Sequence, residues 1–321
     1  MLHKYLRFAV LAAVCCANAA LAASSPDSHT LDVALTRTPV KLISNIVYAQ
    51  PSMIGYDHVA LKMDLLLPQS ARPVPAIVFV TGGGFLHANK DRYLQQRLDL
   101  AEAGYAVASI EYRVAPLVTF PAPLIDVKSA IRYLRAQAAR YGIDPQHLGV
   151  LGDSAGGYLA AMTGVTNGNK TFDQGENLDQ RSDVEAAADL YGLSDLTRVA
   201  EGFPPAIRAE HQSPSAPEAM WVNGPAVFGA GGDIHASPAR TEAANPLHYV
   251  SRRAAPFLFM HGDKDTLVSP AQTDILHRAL AAAGADTTRY VVKGAQHGGD
   301  YWLQPDVMRI VIGFFDQHLK P

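Results

Sequence analysis

The sequence predicts an α/β fold: a mostly parallel, twisted sheet with helices on both faces. Short, unbroken β-branched runs recur along the 321 residues. Segments with apolar residues three and four apart lie between them, and neither an internal repeat nor a low-complexity tract interrupts the order. Strands that alternate with helices make parallel sheets, because each crossover helix lets the next strand run in the same direction.

The elements follow in order. Residues 58–67 alternate in polarity, as an early antiparallel strand does. Residues 76–80 (AIVFV) form a continuous apolar run suited to a buried parallel strand. Residues 105–111, 148–152 (LGVLG), 186–191, 257–261 (FLFMH) and 289–293 (RYVVK) read as further strands. Helical spacing occupies 92–103, 124–141 and 270–283, the last stopped by Gly284. Residues 195–245 break the rhythm with Pro204, Pro205, Pro214, Pro217, Pro225 and Pro238, and with Gly224, Gly229, Gly231 and Gly232. So many breakers predict an irregular, cap-like insertion over one end of the sheet. It either shapes a binding cleft or is a structural loop.

The N-terminus has a different character. Lys4 and Arg7 precede an apolar run at 8–17, and small residues end in Ala20-Leu21-Ala22. This is the pattern of a secretory signal peptide over residues 1–22, and the run is too short to span a bilayer. The expected location is therefore secreted or periplasmic, with no stable membrane association after cleavage. Cys15 and Cys16 both lie in that segment, so the processed chain has no disulfide and no thiolate chemistry. Val14 is bulky where lipoprotein processing sites are small. Residues 23–45 are polar and mixed and are expected to form an exposed arm, with residues 46–321 as the catalytic domain.

A net charge of -3 gives no reason to expect nucleic acid as a partner. The sequence lacks G-x-x-x-x-G-K-[ST], G-x-G-x-x-G and H-E-x-x-H, so neither a cofactor nor a metal is expected.

Gly152-Asp153-Ser154-Ala155-Gly156 fits G-x-S-x-G, with a strand before it and a small-residue helix after it. A sharp strand-to-helix turn exposes a serine hydroxyl, and the flanking glycines let the chain pass. The helix start brings a positive dipole end close to developing negative charge. Thr81-Gly82-Gly83-Gly84-Phe85 follows the strand at 76–80, where backbone N–H groups can turn toward an oxyanion together with that of Ala155.

A serine nucleophile needs a base, and the base needs an orienting acid. Downstream of Ser154, HGDKD (261–265) and QHGG (296–299) each follow a strand. Carboxyl ends of parallel strands are where such a sheet gathers a site. Asp265 lies deeper in its loop than Asp263, which suits Asp265 to the acid and Asp263 to the turn. His297, flanked by small residues, suits the base. His261 reads as packed at a strand end. Phe85, Trp221 and Trp302 are either cleft-lining aromatics or plain packing.

Taken together, TGGGF (81–85), EYRVAP (111–116), the run at 120–135, YGIDP (141–145), GDSAGGYLA (152–160), NPLHYVS (245–251), HGDKDTLV (261–268) and QHGG resemble one family. The chain is similar from about residue 46 onward to α/β-hydrolases of the bifunctional acetyl-xylan/feruloyl esterase (BD-FAE-like) type, relatives of the hormone-sensitive-lipase esterases. The resemblance implies an α/β-hydrolase fold, a triad of Ser154, Asp265 and His297, and an oxyanion hole of Gly83, Gly84 and Ala155. It implies a carboxylic ester hydrolase acting on short-chain or carbohydrate-linked acyl esters. An amidase or peptidase with the same triad and a non-catalytic binding module are the rivals. Thr81 stands where the family usually has His. Thr can hydrogen-bond locally, so the oxyanion loop is expected to hold its shape.

Overall fold

A computed structural model describes residues 28–320. Residues 28–37 carry no helix or strand, and a compact unit begins at Thr38. The expected signal segment at 1–22 lies outside the described residues.

The compact unit begins with strands β1 (Val40–Ala49), β2 (Leu61–Pro68) and β3 (Val74–Val80). Helix α1 (Leu94–Glu102), strand β4 (Ala106–Ile110), and helices α2 (Ala122–Ala136) and α3 (Ala138–Tyr141) follow. Strand β5 (Ile143–Asp153) leads to helix α4 (Ala155–Val165) and strand β6 (Ala186–Leu190). Three short helices come next, α5 (Pro205–His211), α6 (Pro217–Asn223) and α7 (Pro238–Ala243). Strand β7 (Phe257–Gly262), helix α8 (Ala271–Ala282), strand β8 (Thr287–Val292) and helix α9 (Pro305–Leu319) complete it.

The strands make one sheet in the order β1-β2-β4-β3-β5-β6-β7-β8. β1 with β2 and β2 with β4 are antiparallel, and all later pairings are parallel. One face packs α2, α4 and α8 through Leu124, Leu159 and Leu276. The other packs α1 and α9 through Leu100, Val311 and Phe315. Apolar side chains on both faces are what the unbroken strand runs required.

Two expectations are corrected. Val40–Ala49 is a strand, so the exposed arm expected over 23–45 ends before Val40. β1 is an edge strand with half of its residues exposed and only Tyr48 buried; Ser44 and Asn45 interrupt its apolar residues, so it shows neither an unbroken apolar run nor a strict alternation. The stretch 195–245 is also not irregular throughout. Pro205, Pro217 and Pro238 each open a helix. At that position proline's missing N–H costs nothing and its fixed φ suits the helix.

Candidate active site

The site forms where β5 ends and α4 begins, near the middle of the sheet. Ser154 is the residue of the turn, with φ 52° and ψ −121°. Such a conformation in a non-glycine residue costs about 1–3 kcal/mol and persists only where the surroundings enforce it. Here the Ser154 N–H donates to the Leu190 carbonyl on β6 at 2.9 Å, and the Tyr158 N–H donates to the Ser154 carbonyl at 2.9 Å. A Cβ on Gly156 would lie 2.0 Å from the Val80 carbonyl oxygen, and one on Gly152 would lie 2.1 Å from that of Gly156. The elbow is thus a close crossing of backbones.

The loops after β7 and β8 bring the other two groups to Ser154. His297 Nε2 lies 2.7 Å from Ser154 Oγ, and His297 Nδ1 lies 2.7 Å from Asp265 Oδ2. With Nδ1 facing a carboxylate, the proton sits on Nδ1, and Nε2 accepts from the serine hydroxyl. The Asp265 side chain is fully buried, and its Oδ1 accepts from the N–H groups of Leu267 and Val268 at 2.9 Å each. Burial pushes the Asp265 carboxyl up, but the hydrogen bonds from His261 and His297 outweigh it and hold the group below the usual carboxylate range.

Asp263 does not approach the imidazole network. It accepts the Gly294 N–H at 2.6 Å and so ties the acid loop to the loop bearing His297.

His261 has a larger part than strand-end packing. Its Nε2–H donates to Asp265 Oδ2 at 3.0 Å and to the Val268 carbonyl at 3.1 Å. Both partners are acceptors, so Nδ1 accepts, from the Thr273 hydroxyl at 3.1 Å. Arg289 Nε in turn donates to Thr273 Oγ1 at 3.1 Å. Burial lowers the His261 pKa and keeps the ring neutral. Asp265 Oδ2 therefore receives two imidazoles, those of His261 and His297.

The oxyanion loop is held by its backbone. The Gly82 N–H donates to Asp153 Oδ1 at 2.8 Å, Arg92 Nη1 donates to the Gly82 carbonyl at 3.1 Å, and the Tyr112 hydroxyl donates to the Thr81 carbonyl at 2.7 Å. Thr81 itself departs from expectation. Its Oγ1 is buried with no hydrogen-bond partner, so the side chain does not brace the loop. Gly84 adopts φ 59°, and the N–H groups of Gly83, Gly84 and Ala155 donate to no protein acceptor among the described residues. Donors left free in this way are available to an anionic oxygen.

Ser154, Gly84 and Ala155 open into a cleft of 220 Å³, walled by Leu193, Val199 and Val268 and closed by His211 and Glu218 of α5 and α6. Of the three aromatics, Phe85 lines the cleft. Trp221 is buried behind it at 4.6 Å between ring centroids. Trp302 is buried against Tyr191, and its Nε1 donates to the Gln296 carbonyl at 3.1 Å. Tyr191 meets His297 edge-on at 5.0 Å, so this aromatic pair backs the imidazole. Tyr191, His211 and Glu218 gave no signal in the sequence. The HGDKD spacing did contain one for His261: near the end of β7 and four positions before Asp265, it faces that residue across a tight turn.

The parallel sheet, the elbow at its centre and the strand-end loops define an α/β-hydrolase. Comparison with known proteins is specific. The BD-FAE family model matches residues 63–280, and the chain belongs to that family. It is similar to the esterase LipQ of Mycobacterium tuberculosis, at 32% identity over 71% of this chain and 51% of that protein. It is likewise similar to the esterase LipC of the same organism, at 32% identity over 71% of this chain and 54% of the relative. The chain thus spans about half the length of these curated relatives. Among solved structures, a truncated carbohydrate esterase from gut microbiota superposes with a TM-score of 0.74 at 28% identity, covering 88% of this chain and 97% of that one. A thermophilic esterase of Thermogutta terrifontis superposes with a TM-score of 0.65 at 26% identity, covering 88% and 94%.

Proposed function

We propose that the protein is a carboxylic ester hydrolase working through an acyl-enzyme on Ser154. The observation that carries this is the unbroken chain from Ser154 Oγ through His297 to Asp265, at 2.7 Å for each step. Ser154 attacks the ester carbonyl as His297 Nε2 takes its proton. The N–H groups of Gly83, Gly84 and Ala155 stabilise the tetrahedral oxyanion, each donor contributing about 3 kcal/mol. His297 then gives the proton to the leaving alcohol. Water activated by the same ring releases the acid, while Asp265 holds the tautomer and offsets the imidazolium charge. The 220 Å³ cleft suits short acyl groups, and the similarity to a carbohydrate esterase supports carbohydrate-linked esters as the substrate class.

The test is hydrolysis of p-nitrophenyl esters from acetate to decanoate by the wild type and Ser154→Ala. The expected outcome is turnover that peaks at short chains and falls about 10⁴- to 10⁶-fold in kcat with the substitution. Turnover retained by pure Ser154→Ala protein defeats the assignment.

Action outside the cytoplasm belongs to the same proposal and rests on the charged, apolar and A-x-A pattern of residues 1–22. N-terminal sequencing of protein recovered from periplasm and medium should begin at Ala23. An intact Met1 there counts against export by cleavage.

A further inference from the structure

Beside the nucleophile, the cleft holds charged groups that the ester chemistry does not use. Glu218 is buried, with 3% of its surface exposed, and its Oε1 lies 2.5 Å from His211 Nδ1. Its other oxygen, Oε2, has no protein partner among the described residues, yet protein does not enclose it. Since Glu218 lines the cleft, Oε2 is reached from there. The Glu218 hydrogen bond raises the His211 pKa against desolvation, which favours the protonated ring beside the carboxylate. Glu210 stands at the exposed rim of the same cleft.

The position of the base says which half of the ester enters. His297 must protonate the departing alcohol, so the alcohol leaves on its side. The cleft is lined by Gly84, Ser154 and Ala155 but not by His297. It therefore receives the acyl group. At about 30 Å³ per water-sized group, 220 Å³ accommodates an acyl chain of several carbons between Ser154 and Glu218, which both line it.

We infer that Glu218 is a specificity-determining residue, selecting esters whose acyl group ends in a hydrogen-bond donor, a hydroxyl or an ammonium, over plain fatty acyl esters of equal length. This rests on the ester hydrolase reading above. A plain chain that fills the cleft strips water from Oε2 and supplies no donor in return. Leaving a buried carboxylate oxygen unpaired is costly. A donor-bearing chain replaces that water. Sites built around a polar partner reject the analogue lacking it more strongly than apolar pockets reject a change of length.

The experiment compares kcat/KM for p-nitrophenyl hexanoate and its ω-hydroxy and ω-amino analogues. Wild type, Glu218→Gln and Glu218→Leu are assayed, each referred to its own rate on p-nitrophenyl acetate, with thermal melts to check folding. Wild type should favour a donor-bearing ester over hexanoate about tenfold, and which of the two it favours identifies the donor. Glu218→Gln should lose any preference for the ammonium ester while keeping that for the hydroxyl ester. Glu218→Leu should favour plain hexanoate. Should the Leu variant not fold, the change in the ammonium-to-hydroxyl ratio in Glu218→Gln decides alone. A wild type that prefers hexanoate, or a donor preference unchanged in both variants, overturns the inference. A wild type that turns over none of these esters overturns the hydrolase reading and this inference with it.

Discussion

Asp265 accepts four hydrogen bonds, two on each oxygen, and only one comes from His297. Its charge is thus held by His261 and by its own loop as well as by His297. His261→Leu removes the Nε2–H donor and leaves the Val268 carbonyl short of a partner. The expected cost is about 1–3 kcal/mol in unfolding free energy. The Asp265 pKa should rise, moving the acid limb of the kcat/KM profile to higher pH. His261→Gln, whose amide can donate at about the same place, should recover much of both. An acid limb that stays in place in His261→Leu would reduce His261 to packing alone. That distinction lies in how the side chain is paired. The letters HGDKD locate the histidine but say nothing of the second bond on Asp265.

Helices α5 and α6 are too short to be stable by themselves. Their packing against the cleft and the His211–Glu218 pair hold them. His211 is raised in the folded state, first by the Glu218 hydrogen bond. A raised histidine stabilises the fold fully below its unfolded pKa of about 6.5, and the contribution is lost as pH rises through the folded value. Amide protection over residues 205–223, corrected for intrinsic exchange, should therefore fall above about pH 6.5. Glu218→Gln should flatten that dependence. Equal pH dependence in both proteins would mean that the pair does not hold these helices.

Across the molecule, buried carboxyls work in opposite directions. Asp265 is held low, so it favours the fold above the unfolded pKa of about 3.9, and that contribution is lost as pH falls through its folded value. Asp189 does the reverse. It lies beneath the elbow on β6, where Oδ1 accepts the Gly192 N–H at 2.7 Å and Oδ2 is buried without a partner. Burial pushes its pKa up to about 8. Its destabilising effect grows as pH rises from the unfolded value toward the folded one, as the unfolded chain ionises while the native carboxyl stays protonated. Urea unfolding should show stability falling from mildly acidic toward alkaline pH. Asp189→Asn should recover on the order of 3 kcal/mol near pH 9 and little near pH 4. A gain independent of pH would show that ionisation of Asp189 is not the cause.

Seven strands, three long helices and the three groups joined by hydrogen bonds at the elbow were legible because each leaves a local trace. A buried parallel strand must be apolar without interruption, as at 76–80 and 257–261. A nucleophile on a tight crossing needs small neighbours, as at Gly152 and Gly156. Strand-end loops put Asp265 and His297 on the same side of the sheet as Ser154. Strand β1 left an ambiguous trace, since Ser44 and Asn45 interrupt its apolar residues and at the sheet edge only Tyr48 is buried. The prolines of 195–245 were ambiguous because the same residue ends one helix and opens another. Which partner Asp265 shares, whether Thr81 Oγ1 finds one, and that His211 and Glu218 meet before Ser154 depend on side chains distant along the chain. Local spacing bears on strands, turns and helix starts, whereas the pairing of buried polar atoms is decided only when packing has removed the water that would otherwise have served them.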